Sequence, residues 1–275
     1  MIPAAFDYEV AESLEHAVEL LGSREDAKLL AGGHSLLPLM RLRFVRPALL
    51  VDIGRLRDLR YIREQGDTIA IGALTRHSEL ENDPLLKEHC GLLAYAAGEI
   101  GDPQVRRRGT IGGSVAHADP AADLPAVLLA LDADLVFRGT QGETTVPAAA
   151  FFTGVFQTAL GPHDVLTEIR VPVLGGAGWS YLKFRNRSQD WATVGVAAVR
   201  RNGSAAIGLA NMGATPLRAS AAEAAFASGG AAAAGAAAAE GTDPPTDTAA
   251  SPDFRRHLAQ VLVRRALEET QQGPA

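Results

Sequence analysis

Two short stretches constrain this chain more than anything else in it. Ala31-Gly32-Gly33-His34-Ser35-Leu36-Leu37-Pro38 follows the apolar pair Leu29-Leu30, and Thr110-Ile111-Gly112-Gly113-Ser114 repeats the Gly-Gly-polar pattern far downstream. Glycine in regular structure costs about 0.5–1 kcal/mol relative to alanine, so paired glycines at strand or loop exits signal a need of the backbone. That need is either a tight turn with positive φ, or close approach of backbone N–H groups to a ligand. A helix starting just downstream would add free donors and partial positive charge, which suits a phosphate. Ser35, Thr110 and Ser114 place hydroxyls beside the glycines, and two such loops together could hold one pyrophosphate. Neither loop has the lysine of a phosphate-binding Walker loop, and neither is a Gly-x-Gly-x-x-Gly stretch with an acid about 20 positions on. From spacing alone, two plain turns and an anion cradle both stay open.

The bulk properties narrow the classes. The chain has 275 residues, 47% apolar and 21% charged, with a net charge of −6. This suits a folded protein of one large or two modest domains and argues against a nucleic-acid binder, whose footprint would be basic. No apolar run reaches the roughly 20 residues of a membrane span. The first residues carry no basic stretch followed by an apolar one, so the expected compartment is the cytoplasm. Cys90 is the one cysteine, so the chain can form no internal disulfide and no thiolate-held iron–sulfur cluster. The histidines fall at no metal-ligand spacing, and no metal site is expected.

Periodicity gives helices and strands in mixed order. A helix is expected after Ser13 up to Gly22, a buried strand over 27–31, a helix with Pro38 in its first turn carrying Leu39, Met40, Leu42 and Phe44, and strands over 48–53, 59–63 and 68–72. A helical run begins at Thr75 and a longer one runs from Pro84 to Ile100. Asp123-Leu124-Pro125 reads as a helix cap and first turn, followed by paired strands over 134–138 and 144–146 and a strand over 165–171. Gly175-Gly176-Ala177-Gly178 reads as a boundary. Beyond it come three strands, with Asn202-Gly203 as a hairpin turn, then an alanine-rich helix and a final amphipathic helix capped by Asp253. The class is α+β in two domains, residues 1–175 (subdomains about 1–55 and 56–175) and 176–275, the second built on a three-stranded antiparallel sheet with helices.

The stretches AGGHSLLPLMRLR and GTIGGSVAHADPAADLP, with flanks such as LLVDIGRLRDL, IAIGALTRHSEL and DPQVRRRGTIGG, resemble the flavin motifs of the medium subunit of molybdenum-containing hydroxylases. That family includes aerobic carbon monoxide dehydrogenases, nicotine and caffeine dehydrogenases and the flavin domain of xanthine dehydrogenase. The resemblance runs over nearly the whole chain and implies an FAD-binding domain of the vanillyl-alcohol-oxidase type, followed by a smaller domain over the flavin ring. It implies that Ala31, Gly32, Gly33, His34 and Ser35 surround the pyrophosphate, together with Thr110, Ile111, Gly112, Gly113 and Ser114. Ser114 stands where the family usually has asparagine. By the same resemblance Asp123 binds the adenosine ribose, Ile100 and Leu166 are apolar contacts, Lys183 lies near the isoalloxazine and Trp191 stacks on it.

Each has a plainer reading. Asp123 could be a helix cap, Ile100 and Leu166 core, Lys183 a solvated lysine on an edge strand and Trp191 a buried core residue. Arg106-Arg107-Arg108 reads as a solvated run, with Arg106 alone matching a family position.

The resemblance implies an electron-transfer subunit with no catalytic side chain of its own. A large subunit would carry a molybdopterin cofactor and a small one two [2Fe–2S] clusters, in a dimer of heterotrimers able to lie against the inner face of the membrane. FAD on this chain would pass electrons to an external acceptor. A free-standing flavin oxidase and a non-catalytic nucleotide-binding assembly subunit are the alternatives. Gly33→Val or Gly112→Val is expected to abolish flavin retention and leave the chain folded.

Overall fold

The computed structural model describes residues 2–271. Three strands near the N-terminus, Asp7–Val10, Lys28–Leu30 and Leu49–Asp52, form a parallel sheet with the last in the middle. The intervening helix Leu14–Ser23 starts at Ser13, whose hydroxyl accepts from the His16 amide. Ala17, Leu20 and Leu21 bury its apolar face against Leu49, Val51 and Ile53. Gly22 lies inside this helix rather than ending it. The helix after the first glycine pair is short, Leu36–Arg41, and Phe44 lies beyond it, largely exposed.

The middle of the chain is a five-stranded antiparallel sheet, ordered Ile62–Gln65, Thr68–Gly72, Val165–Pro172, Asp134–Gly139 and Gly142–Pro147. The strand expected over 59–63 begins later, because Arg57–Leu59 closes a 3-10 turn. Six helices lie between Thr68–Gly72 and Asp134–Gly139 in sequence. Two of them, Gly91–Gly98, exposed chiefly at Tyr95, and Asp123–Ala130, buried throughout, are largely apolar and form one core with Ile69, Ile71 and Ile169 of the sheet. The run expected from Pro84 to Ile100 breaks at Cys90, giving Pro84–His89 and Gly91–Gly98.

The last sheet has four antiparallel strands, not three: Gly178–Phe184, Val194–Arg201, Ser204–Ala210 and the short Leu217–Arg218. The added pairing is only two residues long, too short to leave a periodic signal. Asn202-Gly203 turns the hairpin with both residues at positive φ. Helices Ser220–Ala237 and Pro252–Glu269 pack Phe226, Leu258, Leu262 and Val263 on one face of this sheet. The first is broken at Gly230 (φ 66°), and the second is capped by Ser251 rather than Asp253. The other face of the sheet meets helix Asp123–Ala130, where Gly208 lets its strand come against the Ala126 backbone. Helix Asp123–Ala130 is thus shared by the middle and last layers and fixes them together.

Candidate functional site

The fold brings the two glycine loops into backbone contact. A methyl group at Gly32 would strike the carbonyl of Arg108 and the Cα of Gly109, which lead into the second loop. Gly109 in turn lies against the ring of His77, whose amide donates to the Gly109 carbonyl at 3.1 Å. His77 is buried, and its Nδ1 has no partner among the described residues. Burial, with help from Arg76, His34 and Arg106, pushes its pKa down to about 4, so the ring under this junction is neutral.

The first loop offers backbone donors. Among the described residues, the amides of Gly32, Gly33, His34 and Ser35 donate to no protein group, although the loop is only partly exposed. Gly33 has φ +77°, a conformation that other residues adopt at a cost of about 1–2 kcal/mol. His34 is exposed, with Nδ1 3.1 Å from the Gly32 carbonyl oxygen, and the Ser35 hydroxyl is unpartnered among the described residues.

The second loop is built differently. It opens helix Ile111–His117, with Thr110 at the cap. The four leading amides are all engaged: Ile111 with the Thr75 carbonyl, Gly112 with the Ala73 carbonyl, Gly113 with the Thr110 hydroxyl and Ser114 with the Thr110 carbonyl. Gly112 is buried, and a Cβ there would lie 2.6 Å from the Ala73 methyl and 2.7 Å from its carbonyl oxygen. The expectation that Gly112→Val would leave the chain folded is therefore corrected: Gly112 makes room for the sheet's own backbone. Gly113 is exposed, and the Ser114 hydroxyl bonds to no described residue. These two positions are what the second loop presents outward.

Asp123 and Lys183 meet in the interior. Lys183 Nζ is 2.9 Å from one Asp123 oxygen and 3.0 Å from the Glu99 carbonyl, and the Tyr181 hydroxyl donates to the other oxygen at 2.5 Å. The Lys183 side chain is 2% exposed, so it is not a solvated edge lysine, and Asp123 is not a helix cap, since Ala122 holds that position. Burial pushes the Asp123 carboxyl up from its ordinary value, while Lys183 and Tyr181 hold it down; burial also raises the Tyr181 hydroxyl. Arg185 continues the row and binds Glu99 at 2.5 Å. Tyr181 and Glu99 were missed in the sequence. The available signal was the alternation of Tyr181 and Lys183 along one strand, which puts both on one face, with Arg185 next in that alternation just past the strand's end.

Trp191 is 55% exposed on the loop after this strand, so its ring is not core. Leu166 is buried in the main core, and Ile100 packs against it half-buried, with its carbonyl bound by Arg106. Arg106 is half-buried and paired with Glu81, whereas Arg107 and Arg108 are exposed. Two cavities, of about 250 and 430 Å³, lie elsewhere, and neither is lined by a residue of the glycine loops. Among the described residues, no cluster of three histidines, cysteines or acids could hold a metal ion, and no helix is long and apolar enough to cross a membrane.

This arrangement fits a dinucleotide with a pyrophosphate. One loop supplies four consecutive unengaged amides, the other small residues and a free hydroxyl, and glycine keeps the two in contact. Residues 4–174 match the FAD binding domain of molybdopterin dehydrogenases, and residues 179–270 match the carbon monoxide dehydrogenase flavoprotein C-terminal domain. The chain is 44% identical to the carbon monoxide dehydrogenase medium chain of Hydrogenophaga pseudoflava, over 97% of each chain. It is 41% identical to the 6-hydroxypseudooxynicotine dehydrogenase complex subunit alpha of Paenarthrobacter nicotinovorans, over 97% of this chain and 95% of that one. A solved structure of carbon monoxide dehydrogenase from Hydrogenophaga pseudoflava superimposes with a TM-score of 0.96 at 45% identity, covering 100% of both chains.

Proposed function

We infer that this chain, which belongs to the family of FAD-binding domains of molybdopterin dehydrogenases, is the flavoprotein subunit of a molybdenum-containing hydroxylase complex. The observation that carries the reading is the near-complete match, over both domains, to a carbon monoxide dehydrogenase medium chain. Its role is to accept electrons from the iron–sulfur clusters of a small partner subunit and hand them to an external acceptor. Molybdopterin resides on a large partner subunit, where the substrate is hydroxylated. The assembly we propose is a dimer of heterotrimers in the cytoplasm, with domains dividing near residue 175. The single cysteine suits this division of labour: buried Cys90, its thiol pushed up to about 12 by burial, leaves the chain no thiolates for clusters of its own.

FAD, when bound, supplies the capacity to exchange electrons singly or in pairs. The chain's own residues bind and orient it. The amides of Gly32 to Ser35 would face the two phosphate charges without a lysine, since aligned N–H groups suffice for an anion. Ser35 and Ser114 would add hydroxyl donors, with Ala31, Thr110, Ile111, Gly112 and Gly113 shaping the backbone around them. Tyr181 and Lys183 take one lone-pair direction each of Asp123, so the carboxylate keeps acceptor capacity for a ribose hydroxyl. Lys183, 2.9 Å from Asp123, would lie at the same part of the cofactor as that carboxylate and hold it in place, and Ile100 and Leu166 would offer apolar surface beside the cofactor. The exposed face of Trp191 is free to stack on the ring and exclude water.

The experiment is purification from the native host. A yellow chain holding one FAD, together with a molybdopterin subunit and an iron–sulfur subunit, is the expected result. A chain that turns over substrate alone would make it a free-standing oxidase. Protein without flavin, gaining none when FAD is added, would leave a non-catalytic subunit.

A further inference from the structure

Two acid-free stretches of sequence meet at the glycine loops. Residues 27–51 hold the first loop and residues 103–118 the second, and neither stretch contains an aspartate or glutamate, in a chain whose net charge is −6. Between them the fold inserts Arg76. It pairs with Thr110 in an isolated bridge, in which the Ile111 amide donates to the Thr75 carbonyl at 3.0 Å and the His77 amide to the Gly109 carbonyl at 3.1 Å. The backbone of Arg76 is therefore fixed beside the cap of the second loop.

Its side chain reaches the junction with the first. The Arg76 guanidinium donates to the Arg108 carbonyl, and that same oxygen is the atom a methyl group at Gly32 would strike. Among the described residues this carbonyl is the one acceptor of the guanidinium, and no acid pairs with it. The acids whose charge reaches it are engaged elsewhere. Glu79 accepts from Arg60 Nε at 2.8 Å and from the Arg76 amide at 2.9 Å, and Asp52 accepts from the Tyr8 hydroxyl and, at 2.7 Å, from the Gly54 amide. Arg108 is exposed and makes no ion pair among the described residues. Burial, then the charges of Arg108 and Arg60, push Arg76 below the ordinary arginine value, although a guanidinium stays protonated at any working pH. A half-buried cation among like charges is left short of a counter-charge beside four unengaged amides.

We propose that Arg76 supplies a full positive charge to the flavin pyrophosphate at the junction of the two glycine loops. This rests on the functional reading above. The amides of Gly32 to Ser35 offer dipoles without net charge, and Arg76 adds the charge that neither loop carries as a lysine. A guanidinium presents parallel N–H groups that match phosphate oxygens, so the same residue favours a cofactor bearing a diphosphate over the bare flavin.

The test is FAD titration of the assembled complex, stripped of flavin and carrying wild-type chain, R76Q or R76K, followed by flavin fluorescence at roughly 0.05 and 0.5 M salt. R76Q is expected to bind FAD roughly tenfold more weakly at the lower salt. Wild-type affinity should fall as salt rises, and that of R76Q should fall less. R76K keeps the charge, so it should keep most of the affinity and the salt dependence. Inorganic pyrophosphate should compete with FAD on wild type and R76K and more weakly on R76Q. Wild-type affinity and salt dependence in R76Q overturn the proposal. Equal losses in R76Q and R76K, with a lowered melting temperature in both and an unchanged salt dependence, confine the guanidinium to holding the Arg108 carbonyl and overturn it too. So does an R76Q chain that binds FAD normally but is lost from the complex. A wild-type complex that takes up no FAD overturns the functional reading itself, a result that no Arg76 variant can give.

Discussion

At Gly32-Gly33, four consecutive amides lack an acceptor among the described residues, whereas at Gly112-Gly113 the leading amides of the helix are all engaged within the protein. Both loops have the same Gly-Gly pair with a serine close behind, and the reasons for glycine differ at each of the four positions. Gly32 lets the first loop touch the backbone entering the second, and Gly33 permits a positive φ. Gly112 clears Ala73, and Gly113, exposed on the first turn of the helix, clears the capping Thr110 hydroxyl, which a Cβ would meet at 2.8 Å. Paired glycines thus announce that backbone must come close to something. They do not say whether that something is a ligand or the rest of the fold.

The largest expected effect separates neighbours within the second loop. Gly112→Val should destabilise the chain by about 3 kcal/mol or more, because its side chain enters the Ala73 backbone. Gly113→Val, whose Cβ would meet the capping Thr110 hydroxyl at 2.8 Å, should cost only about 1 kcal/mol of stability through that cap, yet bind FAD at least roughly tenfold more weakly, a difference of about 1.4 kcal/mol read by flavin fluorescence. A well-folded Gly112→Val that merely lost FAD would break the comparison. Gly32→Ala comes next: by forcing the loops apart it should cost about 2 kcal/mol of stability and weaken FAD binding together. Gly33→Ala should cost about 1–2 kcal/mol through its φ; an unchanged urea midpoint would show that the first loop does not need the left-handed conformation.

His77 tests the junction by pH. Its folded pKa of about 4 lies below the ordinary 6.5, so the unfolded chain takes up the proton first. Stability from this group is complete above about pH 6.5 and is lost as pH falls toward 4, at up to about 1.4 kcal/mol per pH unit. His77→Gln should flatten that part of the urea-midpoint profile; an equal slope in the variant would show that the acid loss originates elsewhere. The smallest effect is at Ser114→Ala, about 0.5–1.5 kcal/mol of FAD binding if the hydroxyl donates to the cofactor. An unchanged dissociation constant would confine the second loop to shaping the site.

Much of the fold was legible because local patterns decide it. Thr68–Gly72, the hairpin at Asn202-Gly203 and the strands around Gly139–Gly142 lie where alternation and turn residues put them. Element ends were less legible. Gly22 sits inside a helix because its turn is held by the apolar face of that helix, and Cys90 interrupts a run that periodicity alone would continue. Asp123 is the clearest case in the site. Sequence offered a cap or a ligand, and the fold added two partners, Lys183 and Tyr181, from a strand about 60 positions away.

The sequence by itself determined the class of elements, the change of texture near residue 175, the absence of thiolates for clusters and the family, since all of these rest on local periodicity, composition and motif. Only the tertiary structure decided which glycine faces protein and which faces outward, that Lys183 is buried and Trp191 exposed, and that the two loops touch at Gly32 and Gly109. Those are properties of long-range packing. An amide's acceptor, a lysine's counter-ion and a ring's exposure are set by whichever residues the fold carries to that place.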